Sequence, residues 1–557
     1  MDKYFFKIAS TSKERALNLL DRNVHSKTFG CFDRYYWHFK TKDFPSSSYQ
    51  MGVEYLARLW NDSYEENEFY KNPLVLKWIK ASLKYTCSIQ HKDGSFDEWY
   101  PNERGHAGPT SYVLHALIQA YQIVEKELEE PLKKEIYEVL LKSSSFLIRQ
   151  KEGAKLTNHY VLFLLSLYEI YQIVSLEDIK LQFESHLKDF ESFIDKEGWS
   201  IEYDSLDFGY NLATLSFLAR LDKLYPHPLF SSYAKKSFYF LSYFFYPGGD
   251  FGALGSRNTC HLYPYAFKYW SERKSLSIAG EIYNYLKEKK AFEKLSPNSQ
   301  DDHYLFYRLS EYLETDEIQS TQTYKKEGLP FTHKPFKKYF SSSGFFIQKS
   351  KDFYFVANMK KGACLRVYDV KKEKCLLKNN GWLLKSKNKL FTNCYYSDQR
   401  QIKIEDSQIS TEGTSYILSE KYFNSLKFIL FRLISLTVRH YKLAYFFKKI
   451  IRQLLITQKG KKGVFFKRTI YLKDQILIIE DCINKKKATK LFYGGNFSTR
   501  YVPQSNYFLQ SDLCHSSLTL DLNKNKANIT VRQKLISYKE TKEELKYEDG
   551  EFFSLQE

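Results

Sequence analysis

The spacing of apolar residues changes period once along this chain of 557 residues, near position 320. Before that point they recur at i, i+3, i+4 and i+7, which gives a helix one dry face. Helices are predicted near 11–23, 49–60, 73–88, 109–128, 131–150, 158–173, 176–194, 208–223, 228–245, 276–288 and 302–314. Beyond it, segments such as 344–347, 353–357 and 365–368 alternate with period two, as half-buried strands do. One layer type cannot serve both periods, so the fold class is α+β and multidomain. Helices of similar length joined by short and longer loops suggest stacked hairpins, hence an (α/α) toroid over residues 1–320. The polar stretch 315–338, with Pro330 and Pro335, sets a linker at 321–337. Short strands separated by turns read 338–557 as an antiparallel β-sandwich.

One segment breaks the alternation. Residues 428–455 mix Leu, Ile and Phe with Arg432, Arg439, Lys442, Lys448, Lys449 and Arg452. They read as a basic amphipathic helical insert, packed on the sandwich or lying on a membrane surface, the packed arrangement being favoured. The formal charge of +19 favours polyanions: nucleic acid, anionic lipid or acidic polysaccharide. With no RNA-binding signature, zinc-finger spacing or DNA-reading module in the sequence, nucleic acid is set aside. The eight cysteines are scattered without a CxxC pair, which fits reduced thiols and implies neither metal nor cofactor. No apolar run has the length of a signal peptide h-region at the N-terminus, or of a transmembrane helix anywhere. The expected compartment is the cytoplasm, with a peripheral position at the inner face of the membrane through 428–455 left open.

Chemistry-bearing residues gather in four stretches. Thr157-Asn158-His159-Tyr160 opens an apolar helical run, where Thr157 or Asn158 could cap the helix and the first-turn N–H groups favour an anion. The loop from Asp93 to Arg104 carries Trp99 and Tyr100, flat faces suited to sugar rings, and ends in Arg104. Asp207-Phe208-Gly209-Tyr210-Asn211 starts another helix. The stretch from Gly248 to Thr259 is rich in glycine, permitting close backbone approach to a ligand, and carries Arg257, which could fork onto a carboxylate, and Asn258. His106 and His261 are titratable groups beside these loops.

With these residues in hand, the chain resembles the heparinase II/III-like polysaccharide lyases, of the type encoded among bacterial surface-polysaccharide genes. The resemblance rests on Asn158-His159, on Tyr210 in its Asp-x-Gly-Tyr setting, on Gly255-Ser256-Arg257-Asn258 and on the Asp93–Arg104 loop. It implies a toroid followed by a sandwich, and β-elimination on a uronic-acid glycan without a cofactor. It places Asn158 and His159 on the substrate carboxylate and gives Tyr210 the acid role, and the base role too where cations lower its pKa. Arg257, Asn258, Trp99, Tyr100, Arg104 and His261 are the implied substrate contacts. Many such lyases add a histidine from the sandwich, yet none occurs here between His333 and His440; Tyr368, Tyr395 or Tyr396 could replace it, or the group could be absent. The alternative function is a non-catalytic glycan-binding or assembly protein that retains the fold.

Overall fold

The computed structural model describes residues 3–104, 106–150, 156–203, 205–319, 327–418, 423–453, 461–473, 476–484, 488–494, 518–522, 528–536, 542–547 and 552–554. Residues 321–326 of the expected linker and 454–455 of the expected insert lie outside them. The principal helices of the first part are α1 (Tyr4–Ser10), α2 (Gly52–Asn61), α3 (Pro73–Ser88), α4 (Ala107–Val124), α5 (Glu130–Ile148) and α6 (Thr157–Val174). They continue with α7 (Glu177–Leu187), α8 (Phe208–Leu224), α9 (Pro228–Ser242), α10 (Pro264–Lys274), α11 (Ser277–Glu288) and α12 (Leu305–Thr315). Before residue 320 the only described strands are the two-residue partners Ile201–Glu202 and Ser205–Leu206.

The even-numbered helices each pack on the next, α2 on α4, α4 on α6, and so on to α12, which packs back on α2. The odd-numbered helices lie outside this ring, as α11 does on α10 and α1 on α12. Burial follows: α6 and α8 are buried almost all round, polar side chains such as Glu169 and Arg220 included, while the outer helix α7 buries one stripe. Local sequence explains many boundaries. Asn72 accepts hydrogen bonds from the N–H groups of Leu74 and Val75 and Pro73 sits in the first turn, so α3 starts where predicted.

Where α12 meets α2 and α8, ion pairs are buried. Arg58 on α2 reaches Glu54 at 2.7 Å and Glu314 at 3.7 Å, and Arg220 on α8 reaches the same Glu314 at 2.6 Å. Beside them Glu311 accepts from Ser216 Oγ at 3.1 Å and from the Tyr265 N–H at 3.2 Å. Burial pushes the Glu311 carboxyl up to about 7, against the pull of Arg308 and Arg220. The native state therefore keeps a proton that the unfolded chain has lost, so this group's contribution to stability falls as pH rises from about 4.5 to about 7. Glu311→Gln is expected to remove that slope; urea midpoints of both proteins at pH about 5 and about 8 would show the difference shrinking toward acid.

The second part is antiparallel sheet. A five-strand meander runs from Phe336 to Asn379, starting two residues before the expected boundary. A larger sheet includes Gln408–Leu418, Lys462–Lys473 and Ile476–Asn484. One apolar cluster joins the two, with Phe346, Phe355, Leu365 and Val367 from the meander against Ile409, Ile470, Leu477 and Ile479. The insert is a pair of helices, α13 (Ser425–Thr437) and α14 (Tyr441–Arg452). Among the described residues the contacts that seat it run to the helical part, whereas packing on a sandwich was expected. Tyr100 lies edge-on to Phe431 at 5.4 Å, and Lys448 pairs with buried Glu103 at 2.8 Å. Among the described residues no helix is long and apolar enough to cross a membrane.

Candidate active site

Helices α4, α6, α8, α10 and α12 begin at one rim of the ring, and the residues singled out in the sequence sit in those first turns or in the loops before them. His159, in the first turn of α6, shares a hydrogen bond with His106, the residue before α4, at 3.0 Å between Nδ1 and Nε2, with the rings stacked. Neither Thr157 nor Asn158 caps α6. The acceptor comes from across the rim: Glu202 takes the Asn158 backbone N–H at 2.8 Å and its side-chain N–H at 2.7 Å. Burial holds the Glu202 carboxyl well above the ordinary carboxylate range, against the pull of the two Asn158 hydrogen bonds, and the group fixes the Asn158 amide, whose oxygen accepts from the Tyr112 hydroxyl at 3.4 Å. Thr157 donates instead to the Ile201 carbonyl at 2.6 Å.

The next residue after Glu202 brings the other half of the site. Tyr203 has φ +63°, a conformation that costs a bulky side chain of order 1–3 kcal/mol, held between two short strands. Its ring stands 6.1 Å from that of Tyr210 on α8, and the Arg257 guanidinium lies 4.6 Å from its centroid. Tyr112, Tyr304 and Tyr307 continue the aromatic wall, with 5.7 Å between the rings of Tyr112 and Tyr307. Tyr263 and Tyr307 share a hydrogen bond between hydroxyls at 3.1 Å.

Electrostatics sort these groups into proton holders and proton acceptors. Burial, reinforced by Tyr203, Tyr304, Asp207 and Tyr307, holds the Tyr210 phenol well above its ordinary value, so it stays protonated at neutral pH. Burial also raises Tyr203, to about 12, against the pull of Arg257. The cations expected to lower Tyr210 therefore do not; Arg257 acts on Tyr203 instead. His106 is held well below its ordinary value by burial and by Lys448 and Arg452, and is neutral.

The architecture is similar to that of Paenibacillus xanthan lyase, with a TM-score of 0.55 and 10% identity over 95% of this chain and 56% of that one. It is also similar to the Streptomyces coelicolor A3 chondroitin AC lyase solved in complex with chondroitin sulphate, with a TM-score of 0.51 and 9% identity over 88% of this chain and 68% of that one. Its fold is that of polysaccharide lyases. The chain spans a little over half the length of the xanthan lyase. No family model matches the sequence, and no curated protein matches it.

Within this lyase fold several expected contacts are structural. Tyr100 is buried under α13 and α14 and offers no face to a sugar. Trp99 is 47% exposed and stacks one face on His303 at 4.2 Å. Arg104 bonds His91 at 3.0 Å and the Arg439 carbonyl at 3.3 Å, tying its loop to the insert. Arg257 is fully buried beneath Tyr203, its backbone N–H donates to Asp207 at 2.9 Å and its guanidinium to the Ser256 carbonyl at 3.3 Å, so it orients the rim rather than opening onto it. Asn258 accepts from Lys361 of the sheet part, and His261 is buried with its pKa held down by burial and Arg308. The loop glycines serve the chain itself: a Cβ on Gly252 would meet Phe208 at 2.8 Å, and one on Gly248 the Glu373 carbonyl at 2.4 Å.

The three tyrosines of the sheet part stay away from the rim. Tyr368 stacks on Tyr246 at 4.8 Å, Tyr395 packs on Tyr416, and Tyr396 donates to Asp398 at 3.0 Å. The sheet part instead sends Lys361, which also donates to the Gly255 carbonyl. Sequence reasoning missed Glu202 and Tyr203. The signal for Tyr203 is its backbone conformation, which residue patterns do not carry. Among the described residues no group of three His, Cys, Asp or Glu side chains is placed to hold a metal ion.

Proposed function

We propose that this protein is a polysaccharide lyase of heparinase II/III-like type, cleaving a uronic-acid glycan by β-elimination in bacterial surface-polysaccharide metabolism. In this reading residues 1–320 are an (α/α) toroid whose rim holds the glycan, and 338–557 a β-sandwich behind it. The observation that carries it is the meeting of Asn158, His159, Tyr203 and Tyr210 at one rim, where five inner helices direct their positive ends.

Elimination needs the C5 carboxylate neutralised, the C5 proton removed and the glycosidic oxygen protonated as its bond to C4 breaks. Asn158, fixed by Glu202, offers its second amide N–H to the carboxylate. His159 takes the C5 proton, since an imidazole paired with a neutral histidine can accept where a buried phenol cannot. Tyr210 gives its proton to the leaving oxygen. The electron pair of the C5–H bond becomes the C4–C5 double bond, and no water enters the product.

Incubation with a panel of acidic polysaccharides tests this through ultraviolet absorbance of the unsaturated uronate. Hydrolytic products would overturn it, and binding without cleavage would indicate a glycan-binding protein. Asn158→Ala is expected to weaken substrate binding and turnover together by roughly 1.5–3 kcal/mol in kcat/KM, because a charge-assisted contact acts in both states. A change in kcat alone would remove Asn158 from the carboxylate.

A further inference from the structure

Among the described residues none is packed over the outer face of the insert. Phe431 and Phe447 turn inward onto Tyr100, and the Asn102 amide donates to the Ser435 carbonyl at 3.1 Å. By contrast Leu426, Leu430, Leu433, Leu443 and Phe446 are 58–78% exposed. Two adjacent helices showing this much aliphatic surface form a patch of the kind that marks an interaction site. Residues 423–453 also hold seven Lys and Arg and neither Asp nor Glu, with Lys427, Arg439, Lys442 and Lys449 exposed.

We propose that α13 and α14 dock this face on an anionic lipid bilayer surface, leucines and phenylalanine in the acyl boundary and cations among the headgroups. Charge and apolarity together select the occupant. An acidic glycan would engage the cations and leave the leucines in water. A second copy would set one all-cationic face against another, since a twofold contact pairs like patches. A bilayer with anionic headgroups satisfies both. Neither helix is long enough to cross, so the pair lies in the interface. The hairpin's inner face rests on the Asp97–Arg104 loop, so docking sets the rim beside the headgroups, where a lipid-anchored glycan would be presented.

The test is flotation of the full chain with vesicles of phosphatidylcholine alone or mixed equally with phosphatidylglycerol, with no glycan present, so its outcome is independent of the lyase reading. Binding to the mixed vesicles, weakened by salt, is expected. Leu433→Glu and Phe446→Glu should each lower it roughly tenfold or more. Lys442→Ala and Lys449→Ala should each lower it about fivefold. Leu181→Glu, at an equally exposed leucine on α7, should leave it unchanged. Circular dichroism identifies any variant that unfolds, and the lysine variants then carry the test. Absence of binding to the mixed vesicles, equal loss in Leu181→Glu, or hairpin variants that turn a dimer into a monomer without changing flotation would overturn the proposal.

Discussion

Tyr210→Phe is expected to abolish turnover of the acidic glycan while leaving its binding nearly intact. The substitution removes one oxygen from a buried ring and keeps its packing on Tyr203. What is lost is the proton that the leaving oxygen needs, and positioned acid catalysis contributes about 10²–10⁴-fold. His159→Ala should lose kcat to a similar degree with a different signature. In the wild type the acid limb of the kcat/KM profile reports the imidazole pair, His159 with His106, and that limb should vanish in the variant. The alkaline limb belongs to Tyr210, whose raised pKa places it above the ordinary phenol range. Full activity in Tyr210→Phe, or an unchanged acid limb in His159→Ala, would reverse these assignments.

Asp481→Ala is expected to be among the most destabilising single changes in the sheet part. Arg468 and Asp481 are both completely buried on adjacent strands and meet in a two-point pair at 2.8 and 2.7 Å. Tyr493 donates to the same carboxylate at 2.7 Å, and the guanidinium also reaches Asn379 of the meander at 3.0 Å. Removing the carboxylate leaves a cation in a dry interior, at a cost of about 3–5 kcal/mol. Replacing both partners, Arg468→Met with Asp481→Leu, should cost far less, because no charge is stranded. Chemical denaturation of the two variants separates these outcomes; a cost below about 1 kcal/mol for Asp481→Ala would mean that water reaches the guanidinium.

The legible parts of this fold are those with local causes. Helix α3 runs over the predicted residues because Asn72 and Pro73 mark its start. Helix α10 was not predicted: its polar residues Lys268, Ser271 and Glu272 fall at helical spacing yet are buried with the rest of Pro264–Glu272, so polarity does not mark an outer face there. The break between α13 and α14 falls at Val438-Arg439-His440, without Gly or Pro to announce it. At the site, Asn158, His159 and Tyr210 were legible as residue types at helix starts. Tyr100 was misread because the hairpin covering it lies more than 300 residues further along the chain, a pairing that no spacing encodes.

The closure of α12 on α2 has a consequence for synthesis. The Arg58–Glu317 pair at 2.7 Å spans 259 positions, so one flank of α2 stays bare until the chain has grown past Leu305. At ~5–20 residues per second that wait lasts on the order of ten to fifty seconds. The nascent chain must shelter a flank carrying Tyr55 and Arg58 on the ribosome for that interval, which makes α12 the clasp of the helical part. A chain stopped before Leu305 would expose the flanks of both α2 and α10, a surface that chaperones bind.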